Sequence, residues 1–514
     1  MKEKYWNILL ITYLIFFGAG CFLIGKSTNF FVFHNDFFWN LFTVQHLNIN
    51  EPASFYNGFF PVGYPIFLKM LSIGNIFITA YLANILFGLV MLGAVAYLTY
   101  VTVGPGWALF CTITLSLIPK IFRYITTPGP DIGTTAFIAV GGTLLILSVT
   151  KNLKDNQRIK LILLSGVLFG LSALWRYHGL PLGVGFIIGS ALISRKYFIY
   201  LVFGLTSIFL TYSIQSFFNI ASGHGLLETA TSFNVYITMY GVTWQKVSLM
   251  VKDLPHSVLE VIFSSPIRFL QTYSYNFLKI IPLIIPSLLG IFLLKDKKQV
   301  KISSIISLAT ILYLLVVSIG SGRSDRTGLP IIPFTIYQIT VLASFAYRKA
   351  FENLGTRNLR ILSVFAFVVV SFKLSSFGYD NFADIKDRKD FQEKYQSIQR
   401  VLIQEGVQNS KQVFSTSYDL YFPELKPYQP YNNGDWARYD MYGLNQEYPE
   451  LTTQNMDKFL ADCHQHAITH LVLDKSASVL MSELGQIYNE ELSLKQLHKI
   501  ADAGGLKVFR IDAL

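Results

Sequence analysis

Long apolar runs recur along the chain, separated by shorter polar stretches in which lysine and arginine predominate. A bilayer core of about 30 Å takes about 20 helical residues. On that rule the runs predict eleven spans, near 5–25, 76–102, 107–119, 132–150, 161–175, 180–194, 197–218, 276–294, 302–320, 328–347 and 359–377. Several are short, notably 107–119 and 161–175, and are expected to borrow flanking residues or to lie inside the bundle. The first run follows the basic residues Lys2 and Lys4 without a small-x-small cleavage site after it, which predicts an uncleaved first span.

Cationic residues fall on alternate connections. Lys2 and Lys4, then Lys151, Lys154, Arg158 and Lys160, then Arg195 and Lys196 share one side if the eleven spans hold. Lys295, Lys297, Lys298 and Lys301, and then Arg348, Lys349, Arg357 and Arg360, join them there. Positive charge marks the cytoplasmic side. The opposite, outer side then receives two segments of about fifty residues, 26–75 and 219–275, and a tail from 378 onward. The expected organisation is a transmembrane domain over 1–377 with these outer loops, and a soluble extracytoplasmic α/β domain over 378–514.

In the tail, Gln412–Thr416, Thr469–Leu473 and Leu506–Ile511 read as strands. Helical patterns occupy about 387–405, 453–466 and 489–502. The stretch from Tyr418 to Tyr448 is aromatic and broken by Pro423, Pro427 and Pro430, which predicts an irregular surface suited to sugar stacking or plain packing.

Composition agrees with this pattern. Hydrophobic residues make up 52% of the chain and charged residues 14%, against about 25% in a soluble domain. The mean hydropathy is +0.43. A net charge of +11 would suit nucleic acid, but the basic residues sit in short loops between spans, so no nucleic-acid partner is expected. Cys21, Cys111 and Cys463 provide neither a disulfide framework nor a metal spacing.

The candidate chemistry lies at the outer ends of the spans. Just after the first span, Phe33-His34-Asn35-Asp36-Phe37-Phe38-Trp39 sets one carboxylate among aromatics, followed by Phe59-Phe60-Pro61-Val62-Gly63-Tyr64-Pro65. A carboxylate there must be solvated, paired or used; capping a short helix is the plainer role. Arg123-Tyr-Ile-Thr-Thr-Pro-Gly-Pro-Asp131 opens the 132–150 span, with Asp131 placed to act as an N-cap or as a second outer carboxylate. Arg176, in Trp175-Arg-Tyr-His178-Gly179, either snorkels to headgroups or binds an anion. Arg323 and Arg326 in Ser321-Gly-Arg-Ser-Asp-Arg326 suit a phosphate, or form a surface cluster with Asp325. His34, Tyr64 and His178 are candidate substrate contacts, and no histidine pairing suggests a metal.

Outer carboxylates at 36 and 131 and arginines at 123, 176, 323 and 326 fit glycosyl transfer from a lipid phosphate. A carboxylate takes the proton of an acceptor hydroxyl while arginines hold the departing phosphate. The lipid tail would lie along a groove between spans.

In layout the chain resembles the GT-C superfamily of integral-membrane glycosyltransferases, and is similar to protein O-mannosyltransferases and the lipid A aminoarabinose transferase. The resemblance covers about residues 5–377. It rests on Asp36 after the first span, Gly58-Phe-Phe-Pro-Val-Gly-Tyr-Pro65, Asp131 in Pro-Asp-Ile-Gly, and Arg326-Thr-Gly-Leu-Pro-Ile-Ile-Pro333. It implies inverting transfer from a polyprenyl-phosphate-linked sugar to a lipid, protein or glycan acceptor. Asp36 would be the general base, Asp131 would support acceptor or base, and Arg323 and Arg326 would hold the donor phosphate. Some relatives carry an adjacent acidic pair where this chain has Asp36 alone, so no cofactor or metal is implied.

A polytopic transporter or flippase is the alternative. Against it stand the lack of a detectable inverted repeat and the placing of charge at span ends rather than mid-span. An integral protein of a prokaryotic plasma membrane is expected, with a cytoplasmic N-terminus, since the outer tail has no Asn-x-Ser/Thr sequon.

Overall fold

The structure is a computed structural model. It describes residues 3–30, 35–46, 60–71, 74–222, 239, 258–319, 326–353, 356–417 and 449–512. In chain order its helices are α1 (Glu3–Ser27), α2 (Asn35–His46), α3 (Gly63–Leu71), α4 (Ile76–Thr102), α5 (Pro105–Leu117), α6 (Pro119–Ile125), α7 (Pro130–Thr150), α8 (Asp155–Trp175) and α9 (Gly179–Ser194). A π-helical turn, Ile199–Leu205, runs into α10 (Thr206–Ala221). Then follow α11 (Val258–Ser264), α12 (Pro266–Ile280), α13 (Ile285–Leu293), α14 (Lys297–Val317), α15 (Ile332–Asn353), α16 (Thr356–Gln404), α17 (Met456–Gln465) and two short helices, α18 (Ala477–Leu480) and α19 (Ser482–Tyr488).

Two compact units divide the chain. The first comprises Met1–Val32, Pro61–Phe217 and Pro266–Ile385, and the second Phe33–Phe60, Phe218–Ser265 and Lys386–Leu514.

In the first unit each apolar run of the sequence falls on helix. Six helices among the described residues are long and apolar enough to cross a membrane, or eight if each bent pair is one span. The eleven expected spans are therefore not all matched by that measure. α9 is too short at 16 residues, and the side chains over 356–367 of α16 lie outside the described residues. The shortness of the 107–119 run has a physical reason: α5 and α6 meet at a 74° bend, where Pro119 starts the new helix. The carbonyl of Leu117, freed there, accepts from Asn381 Nδ2 of α16 at 2.9 Å.

Some helix starts carry side-chain caps. Asn75 accepts from Phe77 N and Ile78 N at the head of α4, and Asp296 from Lys298 N at the head of α14. Apolar side chains such as Ile15 and Phe16 of α1, Leu86 of α4 and Leu210 of α10 are exposed, as lipid requires. Inside, hydroxyls and amides join helices: Ser148 to Tyr200 at 2.9 Å, Ser303 to Gln338 at 3.0 Å and Ser307 to Ser287 at 2.9 Å. Cys21, Cys111 and Cys463 are buried free thiols.

In the second unit a four-stranded sheet has the order β1-β2-β4-β3, formed by β1 (Val413–Ser415), β2 (His470–Leu473), β3 (Leu497–Ala503) and β4 (Leu506–Ile511). β1 and β2 are parallel, joined through α17, and the other pairs are antiparallel. Phe414, Phe459, Leu471, Leu484 and Phe509 form its core, joined by Phe60 from the Gly58–Pro65 stretch. Three expected strands and the helices near 387–405 and 453–466 are present, the former helix as the end of α16. The Tyr418–Tyr448 stretch lies outside the described residues.

The helix expected over 489–502 is not formed; Leu497–Ala503 is strand β3. Gly504 and Gly505 decide this. Both have positive φ, 56° and 87°, as a two-residue hairpin turn demands, and they fold β3 onto β4. Tertiary pairing then overrides a weak helical pattern. A Val at Gly505 meets a left-handed backbone that a β-branched residue disfavours. Gly505→Val is expected to destabilise the hairpin by about 1–3 kcal/mol, read as faster amide hydrogen exchange across β3 and β4 than in wild type.

Candidate active site at one end of the helix bundle

Within the first unit, the turn from α6 to α7, the turn from α8 to α9 and the start of α3 meet at one end of the bundle. Pro130 is the first residue of α7 and Gly129 its N-cap. Asp131 therefore does not act as the N-cap that its sequence position suggested. It lies in the first helical turn, where the positive end of the helix favours a carboxylate, and it is 2% exposed. Arg176 caps the other end of α8 in extended backbone. Its guanidinium turns inward: Nη2 donates to Asp131 Oδ2 at 3.1 Å, with the Arg176 side chain 14% exposed. Snorkelling is thereby replaced by a buried ion pair.

Below the pair sits Trp175, buried among Tyr64, Phe67, Phe87 and Phe137, with ring centroids between 4.9 and 5.3 Å away. Gly133, within the first turns of α7, leaves room for that indole, since a Cβ there would lie 2.1 Å from it. Tyr64 of α3 is buried and feels the charges of both Asp131 and Arg176. Burial, and the Asp131 charge next, push its hydroxyl pKa up and keep it a proton donor. The start of α3 is held by Gln215 of α10, whose Oε1 accepts from Val62 N at 2.9 Å and whose Nε2 donates to Tyr177 Oη at 3.4 Å.

His178 completes the α8–α9 turn. Burial, and then the Arg176 charge, push its pKa down to about 4, with Arg326 acting the same way and Asp131 opposing. The imidazole is thus neutral near pH 7. Arg326 is partly buried, within hydrogen-bonding and charge range of Tyr124. Tyr124 in turn feels Asp131 and Arg176. Two guanidiniums, one carboxylate and a neutral imidazole leave this group with a positive balance that suits an anion.

The structure thus brings Tyr64, Asp131, Arg176, His178 and Arg326 together. Arg123 does not join them. Neighbouring residues on a helix point about 100° apart, so Tyr124 faces the group while Arg123 turns outward, 59% exposed, with Nε 3.7 Å from Asp384 of α16. Asp36 belongs to the second unit, partly buried in the first turn of α2, where its carbonyl accepts from Asn40 Nδ2 at 2.6 Å. His34 and Arg323 lie outside the described residues. Among the described residues, no three His, Cys, Asp or Glu side chains gather as a metal would need.

Sequence reading missed Tyr124, Trp175, Gln215 and Asn84. Asn84 donates through Nδ2 to the carbonyls of Tyr124 (2.6 Å), Ile125 (3.1 Å) and Thr127 (3.0 Å). A signal existed for both amides, because a carboxamide inside an apolar run is costly unless it has a partner.

No protein-family model matches the chain, and no curated protein matches it by sequence. Solved structures do match. ArnT from Cupriavidus metallidurans in the apo state aligns with a TM-score of 0.54 and 10% identity, over 97% of this chain and 98% of that one. The chain shares the fold of ArnT. The same ArnT, the lipid A aminoarabinose transferase, bound to undecaprenyl phosphate aligns with a TM-score of 0.52 and 10% identity, over 99% and 98% of the two chains. An Archaeoglobus fulgidus oligosaccharyltransferase in complex with Zn and sulfate aligns more loosely, with a TM-score of 0.48 and 12% identity over 92% and 71%. A polytopic helical membrane fold with a small C-terminal sheet is what the GT-C resemblance led one to expect.

Two outcomes follow from the charges. Arg176→Gln leaves Asp131 buried without its guanidinium and is expected to cost about 3–5 kcal/mol, seen as a lower unfolding temperature in detergent. Adding Asp131→Asn should restore much of that loss. His178 has a folded pKa below its usual value, so the unfolded chain binds the proton first as pH falls. Its contribution is complete above about pH 6.5 and is lost on acidification towards about pH 4. The unfolding temperature of wild type should therefore fall more steeply over this range than that of His178→Gln.

Proposed function

We propose that the protein is a glycosyltransferase that moves a sugar from a polyprenyl-phosphate-linked donor to an acceptor at the outer membrane face. The observation that carries this reading is the positively balanced group of Arg176, Arg326, Asp131 and His178 at one bundle end, in a chain that shares the fold of ArnT. A fold alone does not specify a reaction; the charge arrangement supplies the chemistry.

In the proposed step, Asp36 takes the proton of an acceptor hydroxyl as its oxygen attacks the anomeric carbon. The bond between that carbon and the phosphate oxygen breaks, and polyprenyl phosphate leaves with the electron pair. Attack from the face opposite the phosphate inverts the configuration. Arg326, with Arg323 from the same loop, offsets the charge growing on the phosphate, because guanidinium donates to phosphate in a planar, bidentate manner. Asp131 keeps Arg176 aimed at this site rather than at headgroups, and Tyr64, His178 and His34 contact substrate. Arg123, paired with Asp384, has no part in it.

The distribution of lysine and arginine supports an outer location for the reaction and a cytoplasmic N-terminus. On this reading residues 1–377 form the membrane domain, with outer segments 26–75 and 219–275, and residues 378–514 an extracytoplasmic domain. A prokaryotic plasma membrane is the proposed setting, and the acceptor is a lipid, protein or glycan.

The test is transfer of label from a radiolabelled polyprenyl-phosphate sugar in membranes carrying wild type or Asp36→Asn at equal protein level. Transfer by wild type and its loss by at least about a hundredfold in the variant is the expected result. Equal transfer by both removes Asp36 from the mechanism. No transfer by either, across hexosyl and pentosyl donors, favours the transporter alternative.

A further inference from the structure

α4 carries one carboxamide in its apolar length, Asn84, and it is 3% exposed. Its Nδ2 reaches the carbonyls of Tyr124, Ile125 and Thr127 at 2.6, 3.1 and 3.0 Å. These groups lie at and just beyond the end of α6, where a helix leaves its last carbonyls without internal partners, and water is scarce inside a membrane bundle. One turn along α4, Gly88 provides a second fit. A Cβ at Gly88 would come 2.7 Å from Ile125 Cγ1, so the Ile125 side chain occupies the space a larger residue would fill. The turn is keyed to α4 twice, through its main chain by Asn84 and through a side chain by Gly88.

That turn carries site residues at both ends. Tyr124, in range of Arg326, precedes it. After Thr127 the chain passes through Pro128, Gly129 and Pro130 directly to Asp131, which holds Arg176 at 3.1 Å. A turn fixed at three carbonyls and followed by two prolines has little freedom left.

We propose that Asn84 is a positioning residue: by holding the carbonyls of Tyr124, Ile125 and Thr127 it fixes Tyr124 and Asp131 against Arg326 and Arg176, and so sets the geometry in which the donor phosphate is held. The inference rests on the glycosyl-transfer reading for its consequence, but not for its geometry. Asn84 touches no reacting atom and acts through the turn.

The experiment uses the full chain in lipid nanodiscs, comparing wild type, Asn84→Leu and the milder Ile125→Val. Two readouts are taken on folded protein: kcat and donor KM with a radiolabelled undecaprenyl-phosphate sugar, and the titration midpoint of the His178 ring by NMR. That ring is assigned by its loss in His178→Gln, and it faces Arg176, Asp131 and Arg326. Misplacement by about 1 Å can cost about a hundredfold in rate. Asn84→Leu is expected to lower kcat by roughly 10- to 100-fold with donor KM within about twofold, and to move the His178 midpoint. Ile125→Val should do both in the same direction to a smaller extent.

Folded Asn84→Leu protein with a wild-type kcat, or with a wild-type His178 midpoint, overturns the inference and leaves Asn84 as a helix-packing residue. If Asn84→Leu does not fold, Ile125→Val decides by the same criteria. Absence of transfer in wild type refutes the glycosyl-transfer reading instead; the His178 midpoint then decides alone, a shift supporting the positioning role and no shift overturning it.

Discussion

The buried pair of Asp131 and Arg176 is the contact on which the site depends. Each charge alone would be too costly to keep at the end of a membrane bundle, and together they are tolerable only with close geometry and further polar partners. That condition reaches outward through the structure. Asp131 must enter at the first turn of α7, so the α6–α7 turn has to be fixed. Arg176 must leave α8 in extended backbone, so the α8–α9 turn has to be fixed as well. Trp175 and its ring of aromatics set the floor beneath both, and they fit because α7 carries no side chain at Gly133.

A second constraint comes from the solvent. Lipid accepts no unpaired peptide group, yet this chain breaks its helices at several points near the site. Three of these breaks have a side-chain partner brought from elsewhere: Asn381 for the Leu117 carbonyl at the α5–α6 bend, Asn84 for the carbonyls after α6, and Gln215 for the amide of Val62 before α3. Buried carboxamides therefore do in this bundle what water does at the surface of a soluble enzyme. The irregular backbone they support is what allows residues from α3, α6, α7 and α8 to converge.

The chemistry that results is electrostatic rather than acidic. One carboxylate is neutralised by Arg176, His178 is uncharged near neutral pH, and Arg326 adds positive charge beside Tyr124. Such a group is suited to holding an anion. In the proposed glycosyl transfer that anion is the leaving phosphate, and Asp36, outside this group, is the proposed base.

The sequence by itself determined the class and much of the layout. Apolar run length is set by bilayer thickness, so each run could be read as helix, and the tail's β-branched and aromatic runs marked three of the four strands among its described residues. Asp131, Arg176 and Arg326 were legible as candidates because charge beside apolar spans is expensive and must have a reason. What the sequence did not reveal depends on direction and distance. Arg123 and Tyr124 are neighbours in the chain, and only the rotation of α6 sends one outward to Asp384 and the other to the site. Leu497–Ala503 looked helical and became a strand, because hairpin closure at Gly504–Gly505 supplies a pairing that local pattern does not contain. Asn84 gave no sign of its partners, since three carbonyls from a turn forty residues away meet it only once α4 and α6 have packed. Residue cost is a property of composition and can be read along a line; which groups relieve that cost is decided in three dimensions.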